Sequence, residues 1–468
     1  MGTFKGDSNS RRIDRALQHV SKPWFPMDPK IVKQIRVGLQ DGTYASDVGR
    51  LFDDLKVDFA LFTFIIKELS QHAAVEGIEA SIIANPIELI RWAGCEKILE
   101  VLKEQEKLPS VHSLHWSEPF QVQRLRETAI AAGTASALSE QSNLDPDLGF
   151  SRGVLRSIGL NLIAWNYPTV YSKALNTLTE DTSLDEILTN ELGFSPALLG
   201  MRLLRPDTTS QSDSEVSEKS WATYDELCEI GELLARAENP ETYPSAQNDW
   251  NSAKTFMAQT FGDETISSIR SKIIESSKYY QENLPEVFGD LESFDPQAKI
   301  EKHAIHNRTL EDSLLNSCPE EIKTALRSLY ADMGSENVNK ALVGRLLKQI
   351  VPNAGFTGGC VFVVDPSSLS LKPRTLIGNV QLREITNVAL EPGDAAVSAL
   401  SSTETIVQSA EETSEQKLTG LYSALGIRRK IGVLYLETPH TTQDDNKNQQ
   451  LAVFQALKQA LCDTLLLE

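Results

Sequence analysis

Apolar residues recur at helical spacing through the first part of the chain, and this regularity restricts the fold more than any other feature. Ile31, Ile35 and Leu39 fall on one face of a helix, and the same spacing returns at 61–69. Repeats of three and four residues place apolar side chains on one side of a helix, whereas a half-buried strand needs strict alternation. No clear alternation occurs at 28–206, so this segment predicts an all-α helical domain.

The pattern changes after residue 307 to a mixture of helices and short strands. Two helices are predicted first, followed by strands in which β-branched and aromatic residues cluster between turn residues. The predicted helices span 319–333, 337–350 and 449–467, and the predicted strands span 358–366, 374–378, 385–390 and 431–437. Helices, a meander of strands and a closing helix together favour an α+β domain.

Composition divides the chain at two places. The stretch at about 206–220 is polar, acidic and almost free of apolar residues, which predicts a flexible loop inside the helical domain. Pro285, Gly289 and Pro296 interrupt regular patterns further on, which predicts an interdomain linker. The predicted organisation is a helical domain at 22–282, a linker at 283–306 and an α+β domain at 307–468.

Bulk properties restrict the classes of function. The 468 residues exceed what a single core usually accommodates, in agreement with more than one domain. The formal net charge of −20 argues against non-specific binding to nucleic acid or anionic lipid. The five cysteines are odd in number and never spaced C-x-x-C, a pattern typical of reduced thiols. Because no apolar run is typical of a signal peptide or a membrane span, we expect a cytoplasmic protein.

Several short segments give the helical domain a family resemblance. Residues 153–162 are similar to the Leu-Leu-His-Asp-Ile-Gly segment of HD-type metal phosphohydrolases, and 167–171 to the Phe-Pro-x-x-Tyr that follows it. Residues 191–200 are similar to a later Glu-x-x-Gly-Phe-x-His-x-x-x-Gly signature. Two earlier motifs of the family are matched at 24–32 and 86–94. The segment from about 22 to 280 therefore resembles the HDOD domain, a relative of HD and HD-GYP phosphohydrolases, which implies a bacterial-type signalling protein.

The chain departs from the HD pattern at the positions that the resemblance assigns to metal ligands. Glu127 stands at the place of the first histidine, and Arg156 and Ser157 replace the His-Asp doublet. Pro196 replaces a later histidine, and Glu232 stands near the late aspartate. Arginine has no lone pair to donate to a metal. The resemblance therefore implies a vestigial site with no metal, no cofactor and no catalytic residue.

Two hypotheses describe what fills the vacated centre. In the first, Glu127 and Arg156 form a salt bridge that locks the helices into a filled core, which is favoured because buried charges are usually paired. In the second, the same residues leave a polar pocket that takes an anion. A divergent metal-dependent phosphohydrolase that uses Glu127, Glu232 and further ligands is the catalytic alternative.

Three segments of the second domain, at 346–365, 395–407 and 432–437, are similar to the GAF domain. This resemblance implies a small molecule held in a pocket over the sheet, or dimerisation. No cyclic-nucleotide motif is present in the sequence. Cys360 lies in an apolar strand, where a thiol more commonly belongs to the core than to a chromophore site.

The two resemblances together predict a non-catalytic signal-transduction protein. In this hypothesis the degenerate HD-type domain is the protein-interaction or output module, and the GAF-like domain is a sensor or a dimerisation module. The expected partners are a protein of a signalling pathway, a small molecule in the GAF-like domain and a second copy in a homodimer, with no nucleic acid and no membrane. A scaffold that binds no small molecule is the further alternative.

Overall fold

The computed structural model describes residues 5–21, 24–105, 112–114, 117–204, 215–262, 265–333, 338–402, 404–409, 418–426, 430–440 and 444–465. The chain divides into two compact units, Met1–Ile300 and Glu301–Glu468, which we call the N-terminal unit and the C-terminal unit. The coarse prediction of a helical part followed by an α+β part is confirmed.

The described part of the N-terminal unit is built from helices. They are α1 (Lys5–Val20), α2 (Pro29–Gln40), α3 (Val48–Lys56), α4 (Phe59–Val75), α5 (Ala80–Ala84), α6 (Pro86–Gln105), α7 (Pro119–Gln141), α8 (Pro146–Arg156), α9 (Ile158–Asn166), α10 (Pro168–Leu175), α11 (Leu184–Leu192), α12 (Pro196–Leu204), α13 (Glu215–Ala237), α14 (Ala246–Thr260), α15 (Thr265–Asn283) and α16 (Pro285–Phe288). A 3₁₀ turn at Gly289–Ser293 follows, and α17 (Pro296–Glu311) contains the boundary between the units.

Helix α7 is the centre of this unit and is buried along most of its length. It packs against α8, α13 and α15, and glycines on these helices allow close approach. A Cβ added to Gly153 would lie 2.7 Å from the Cα of Ala132, and one added to Gly231 would lie 2.5 Å from the carbonyl oxygen of Ala131. Small residues at the contact let the backbones approach, so polar side chains of α7 lie inside the core.

The segment predicted as a linker contributes to the core of the N-terminal unit. Phe288, Leu291 and Phe294 are fully buried there, between the two prolines that were interpreted as breakers. Each proline begins a helix, a position at which its missing N–H costs nothing. Nζ of Lys299 lies 2.8 Å from the carboxylate of the buried Glu238, the residue that follows α13, and this ion pair holds the segment to the unit.

The predicted flexible loop is only partly within the described chain. Residues 206–214 lie outside the described residues, and α13 begins at Glu215, inside the stretch that was predicted as loop. The first turns of α13 are polar, and helical spacing of apolar residues begins only at about Tyr224, so the sequence pattern did not predict the start of this helix.

The C-terminal unit contains a curled six-stranded antiparallel sheet in the order β3-β2-β1-β6-β5-β4. Its strands are β1 (Gly358–Asp365), β2 (Ser370–Gly378), β3 (Val388–Ala389), β4 (Ile406–Ser409), β5 (Leu418–Leu425) and β6 (Gly432–Pro439). Its helices are α18 (Ser313–Asn316), α19 (Glu320–Ala331), α20 (Lys340–Arg345), a π-helical turn (Leu346–Ile350), α21 (Val351–Asn353), α22 (Ala395–Ser401) and α23 (Asp444–Thr464).

Two separate cores lie on the sheet of this unit. One contains Leu326, Leu346 and Phe454 from its helices. The other contains Cys360, the aromatic residues of β1, β5 and β6, and two alanines of α22. Cys360 is fully buried, so its predicted core position is confirmed. The strand predicted at 385–390 is shortened to β3, and β5 has no counterpart in the prediction.

Candidate functional site in the helical unit

The residues at the positions that the resemblance assigns to metal ligands come from four elements of the N-terminal unit. Glu127 lies on α7, and Arg156 and Ser157 lie at the end of α8. Pro196 begins α12, and Glu232 lies on α13. The packing of α8 and α13 against α7 brings most of these positions to one region of the unit.

The centre of this region is occupied by Arg124, a residue that the sequence analysis did not single out. Its Nη1 lies 2.9 Å from Oε2 of Glu127, one helical turn further along α7. Its Nη2 donates to Oγ of Ser157 at 3.3 Å. The side chains of Arg124 and Glu127 are only 8% and 3% exposed. The two positions that the resemblance gives to metal ligands are therefore joined by a guanidinium.

Glu127 has further partners on the segment after α13. Tyr243 donates its hydroxyl to Oε2 at 3.0 Å, and Asn239 donates its amide to Oε1 at 3.4 Å. Burial and the nearby carboxylate raise the pKa of Tyr243 well above its ordinary value, so its hydroxyl stays protonated as a donor. Burial lowers the pKa of Arg124, but the attraction of Glu127, Tyr171, Tyr243 and Glu232 together outweighs burial, and the net direction is upward. Arg124 and Glu127 therefore form a buried, hydrogen-bonded ion pair.

Arg156 does not occupy the centre. Its Nε lies 2.9 Å from Oε1 of Glu232, and its Nη1 lies 3.8 Å from Asp225. The side chains of Arg156 and Glu232 are 38% and 33% exposed, so this pair is near the surface. The hypothesised Glu127–Arg156 salt bridge does not occur among the described ion pairs, because Arg124 of the same helix lies closer to Glu127 and takes its place.

Pro196 lies at a contact between α9 and α12. A Cβ added to Gly159 would lie 1.9 Å from the carbonyl oxygen of Pro196, so the two backbones meet where only glycine fits. Pro196 is buried and starts its helix, and both properties are structural.

A sequence signal for Arg124 exists in retrospect. It precedes Glu127 by three residues, the spacing at which side chains on a helix are neighbours. The small residues that fill the second half of α7 indicate a helix buried on all sides, which places both charges in the interior.

The chemistry of this arrangement is that of a buried ion pair, in which only the Nε of Arg124 has no hydrogen-bond partner. Arg124 supplies donors only, and Glu127 is engaged by three donors. Burial raises the pKa of the neighbouring Cys228 to about 12, so its thiol stays protonated and is a poor nucleophile. Over the described residues, no three His, Cys, Asp or Glu side chains group as metal ligands.

No protein-family model, curated protein or solved structure matches this chain. Helices in the described ranges are all too short or too polar to cross a membrane.

We expect Arg156→Ala to cost little stability, at most about 1 kcal/mol, because its ion pairs are exposed and screened by solvent. Urea unfolding followed by tryptophan fluorescence measures this, since all six tryptophans precede residue 300 and report on the N-terminal unit. A loss of several kcal/mol would place Arg156, and not Arg124, at the centre of the network.

Proposed function

We propose that this protein is a non-catalytic component of a cytoplasmic signalling pathway. In this proposal the N-terminal unit is a degenerate HD-type domain, similar to HDOD domains, that presents a surface to a protein partner. The C-terminal unit is a GAF-like module that senses a ligand or holds a dimer together. The observation that carries the proposal is the guanidinium of Arg124 between Glu127 and Ser157.

A cation at this place opposes metal-dependent hydrolysis for two physical reasons. A guanidinium has no lone pair for a metal, and at distances of a few ångströms in a buried site it repels a second cation strongly. The carboxylate of Glu127, the remaining candidate ligand, is already engaged by Arg124, Tyr243 and Asn239. What such a unit retains is a rigid helical scaffold, which is what a binding surface requires.

Restoring the lost doublet is the sharpest test of this proposal. We expect the double variant Arg156→His/Ser157→Asp to bind no transition metal, because Arg124 remains and pairs with the new aspartate. The measurement is metal content by mass spectrometry after incubation with Mn²⁺, Fe²⁺ or Zn²⁺ and exhaustive dialysis, for the wild type and the variant. Stoichiometric metal in the wild type would contradict the proposal directly.

Turnover provides the second arm of this test. The wild type is expected to hydrolyse bis(p-nitrophenyl) phosphate no faster than buffer containing the same metal. A divergent phosphohydrolase would instead show turnover that Glu127→Ala abolishes. The matched control is Glu275→Ala, which removes the acidic partner of Lys272 three residues away on α15, where the glutamate is 70% exposed.

A further inference from the structure

An arginine side chain lies over three aromatic rings on one face of the sheet in the C-terminal unit. The Cζ atom of Arg383 is 5.4 Å from the ring centroid of Phe362 and 5.9 Å from those of Tyr422 and Tyr435. All three aromatic side chains are fully buried, and the two tyrosine rings stack with centroids 4.4 Å apart. Cations are attracted to aromatic faces, and the attraction grows when water is excluded. We call these three rings the aromatic box.

The edge of the same guanidinium is held by a carboxylate. Nη1 and Nη2 of Arg383 donate to the two oxygens of Asp394 at 3.2 and 3.0 Å. This two-pronged contact requires a planar fork of donors, which arginine has and lysine lacks. Of the five N–H donors of the guanidinium, the one on Nε is buried and has no hydrogen-bond partner. The rings therefore contact the face of the guanidinium, and Asp394 contacts its edge.

The loop that carries Arg383 is fastened to the sheet. Glu437, which is fully buried on β6, accepts hydrogen bonds from the backbone N–H groups of Gln381 and Leu382, each at 2.8 Å. The same carboxylate accepts from the hydroxyl of Tyr435. A Cβ at Gly420 would lie 2.8 Å from Cδ2 of Leu382, so a glycine on β5 makes room for the loop. The sheet is shaped to receive this segment.

We propose that the aromatic box and Asp394 form a receptor site for guanidinium or alkylammonium cations, and that Arg383 is its tethered occupant. The proposal rests on the sensor role suggested above and names the ligand class. A free cation of this kind would displace Arg383 and release the loop at 379–394, which supplies a mechanical signal. A neutral or anionic ligand gains nothing from the electron-rich rings and the carboxylate.

The experiment is chemical rescue followed by peptide-level hydrogen exchange. We expect Arg383→Ala to accelerate exchange of the 379–394 segment by at least about tenfold, because the contacts with all three rings and the pair with Asp394 are lost together. Millimolar N-methylguanidinium should slow this exchange back towards the wild-type rate, and the neutral isostere N-methylurea should leave it unchanged. In the wild type, higher concentrations of N-methylguanidinium should compete with Arg383 and accelerate exchange of the same segment.

Two variants sharpen the result. Asp394→Asn in the Arg383→Ala background should weaken the rescue by about tenfold, because a charge-assisted pair is lost. Arg374→Ala removes an exposed arginine of β2 and should show neither the acceleration nor the rescue.

A folded Arg383→Ala protein that responds to neither compound, or to both equally, would overturn the proposal. If that variant does not fold, an unchanged wild-type exchange rate in N-methylguanidinium would overturn it as well. The metal and turnover measurements concern the N-terminal unit, so a failure there is distinguishable from a failure of the receptor site.

Discussion

Glu127→Gln is expected to destabilise the N-terminal unit by about 3–5 kcal/mol, the typical cost of leaving one partner of a buried ion pair without its counter-charge. Arg124 would remain charged, because a guanidinium is not deprotonated in proteins, and it would stay almost fully buried without the carboxylate that now offsets the cost of its burial. The neutral amide keeps an acceptor for Tyr243, so the loss reports on charge and not on a missing hydrogen bond. Urea unfolding monitored by tryptophan fluorescence measures this loss of unfolding free energy.

A double-mutant cycle separates the interaction energy of Arg124 with Glu127 from the contributions of their other neighbours. We expect Arg124→Met/Glu127→Gln to recover most of the loss of Glu127→Gln, because no uncompensated charge remains in the core. Glu275→Gln, at the exposed i,i+3 pair of α15, should cost less than about 1 kcal/mol. A double variant that is no more stable than Glu127→Gln would show that the guanidinium is not neutralised by Glu127 alone.

The comparison of Arg124 with Arg156 shows how much of the candidate site could be predicted from the sequence. Two of the positions singled out in the sequence, Glu127 and Ser157, contact the same side chain, that of Arg124. The predicted partner of Glu127 was Arg156, but the observed partner is Arg124. The sequence does not distinguish the two arginines, because the burial of each side chain depends on how the whole helix packs. Arg124 sits on the fully packed α7, while Arg156 sits at the end of α8 and reaches solvent.

For the fold as well, the features that depend on local sequence were predicted, and those that depend on contacts between distant segments were not. Helical spacing and the apolar runs of strands β1 and β6 are local signals, and the structure agrees with them. Strand β5 is missed because Thr419, Gly420 and Ser423 interrupt its apolar residues, so it shows neither strict alternation nor the continuous apolar run of β6. Phe288 and Phe294 were assigned to a linker because their burial depends on packing against distant helices, which local composition does not encode.

The second large effect concerns pH. Asp58 is fully buried at the start of α4, where its carboxylate accepts backbone N–H bonds from Asp28 at 2.6 Å, Ala60 at 2.9 Å and Leu61 at 3.1 Å. Burial raises the pKa of Asp58 to about 6 from 3.8, despite these three donors, and the charge of Asp28 adds to the rise. Tyr280 and Tyr279, which also face this carboxylate, stay neutral because their pKa values are raised as well.

The raised pKa fixes the sign of the pH dependence. Between about pH 4 and pH 6 the unfolded chain has lost the proton of Asp58 while the folded chain retains it, so the folded state binds more protons and its stability falls as pH rises. The expected loss over this window is about 3 kcal/mol, from 1.36 kcal/mol for each unit of pKa difference. Above about pH 6 both states are ionised, and the contribution of Asp58 no longer changes.

The comparison with Asp58→Asn isolates this contribution. The amide has no proton to lose in this range and keeps one oxygen for the N–H groups of Ala60 and Leu61, so its cost of about 1 kcal/mol should not vary with pH. The unfolding free energy of the wild type minus that of the variant should therefore fall between pH 4 and pH 6.5. Asp47→Asn, at the exposed N-cap of α3, controls for the loss of a helix cap as such. A difference that stays flat or rises with pH would mean that the three backbone donors outweigh burial, and that Asp58 is a stabilising anion throughout.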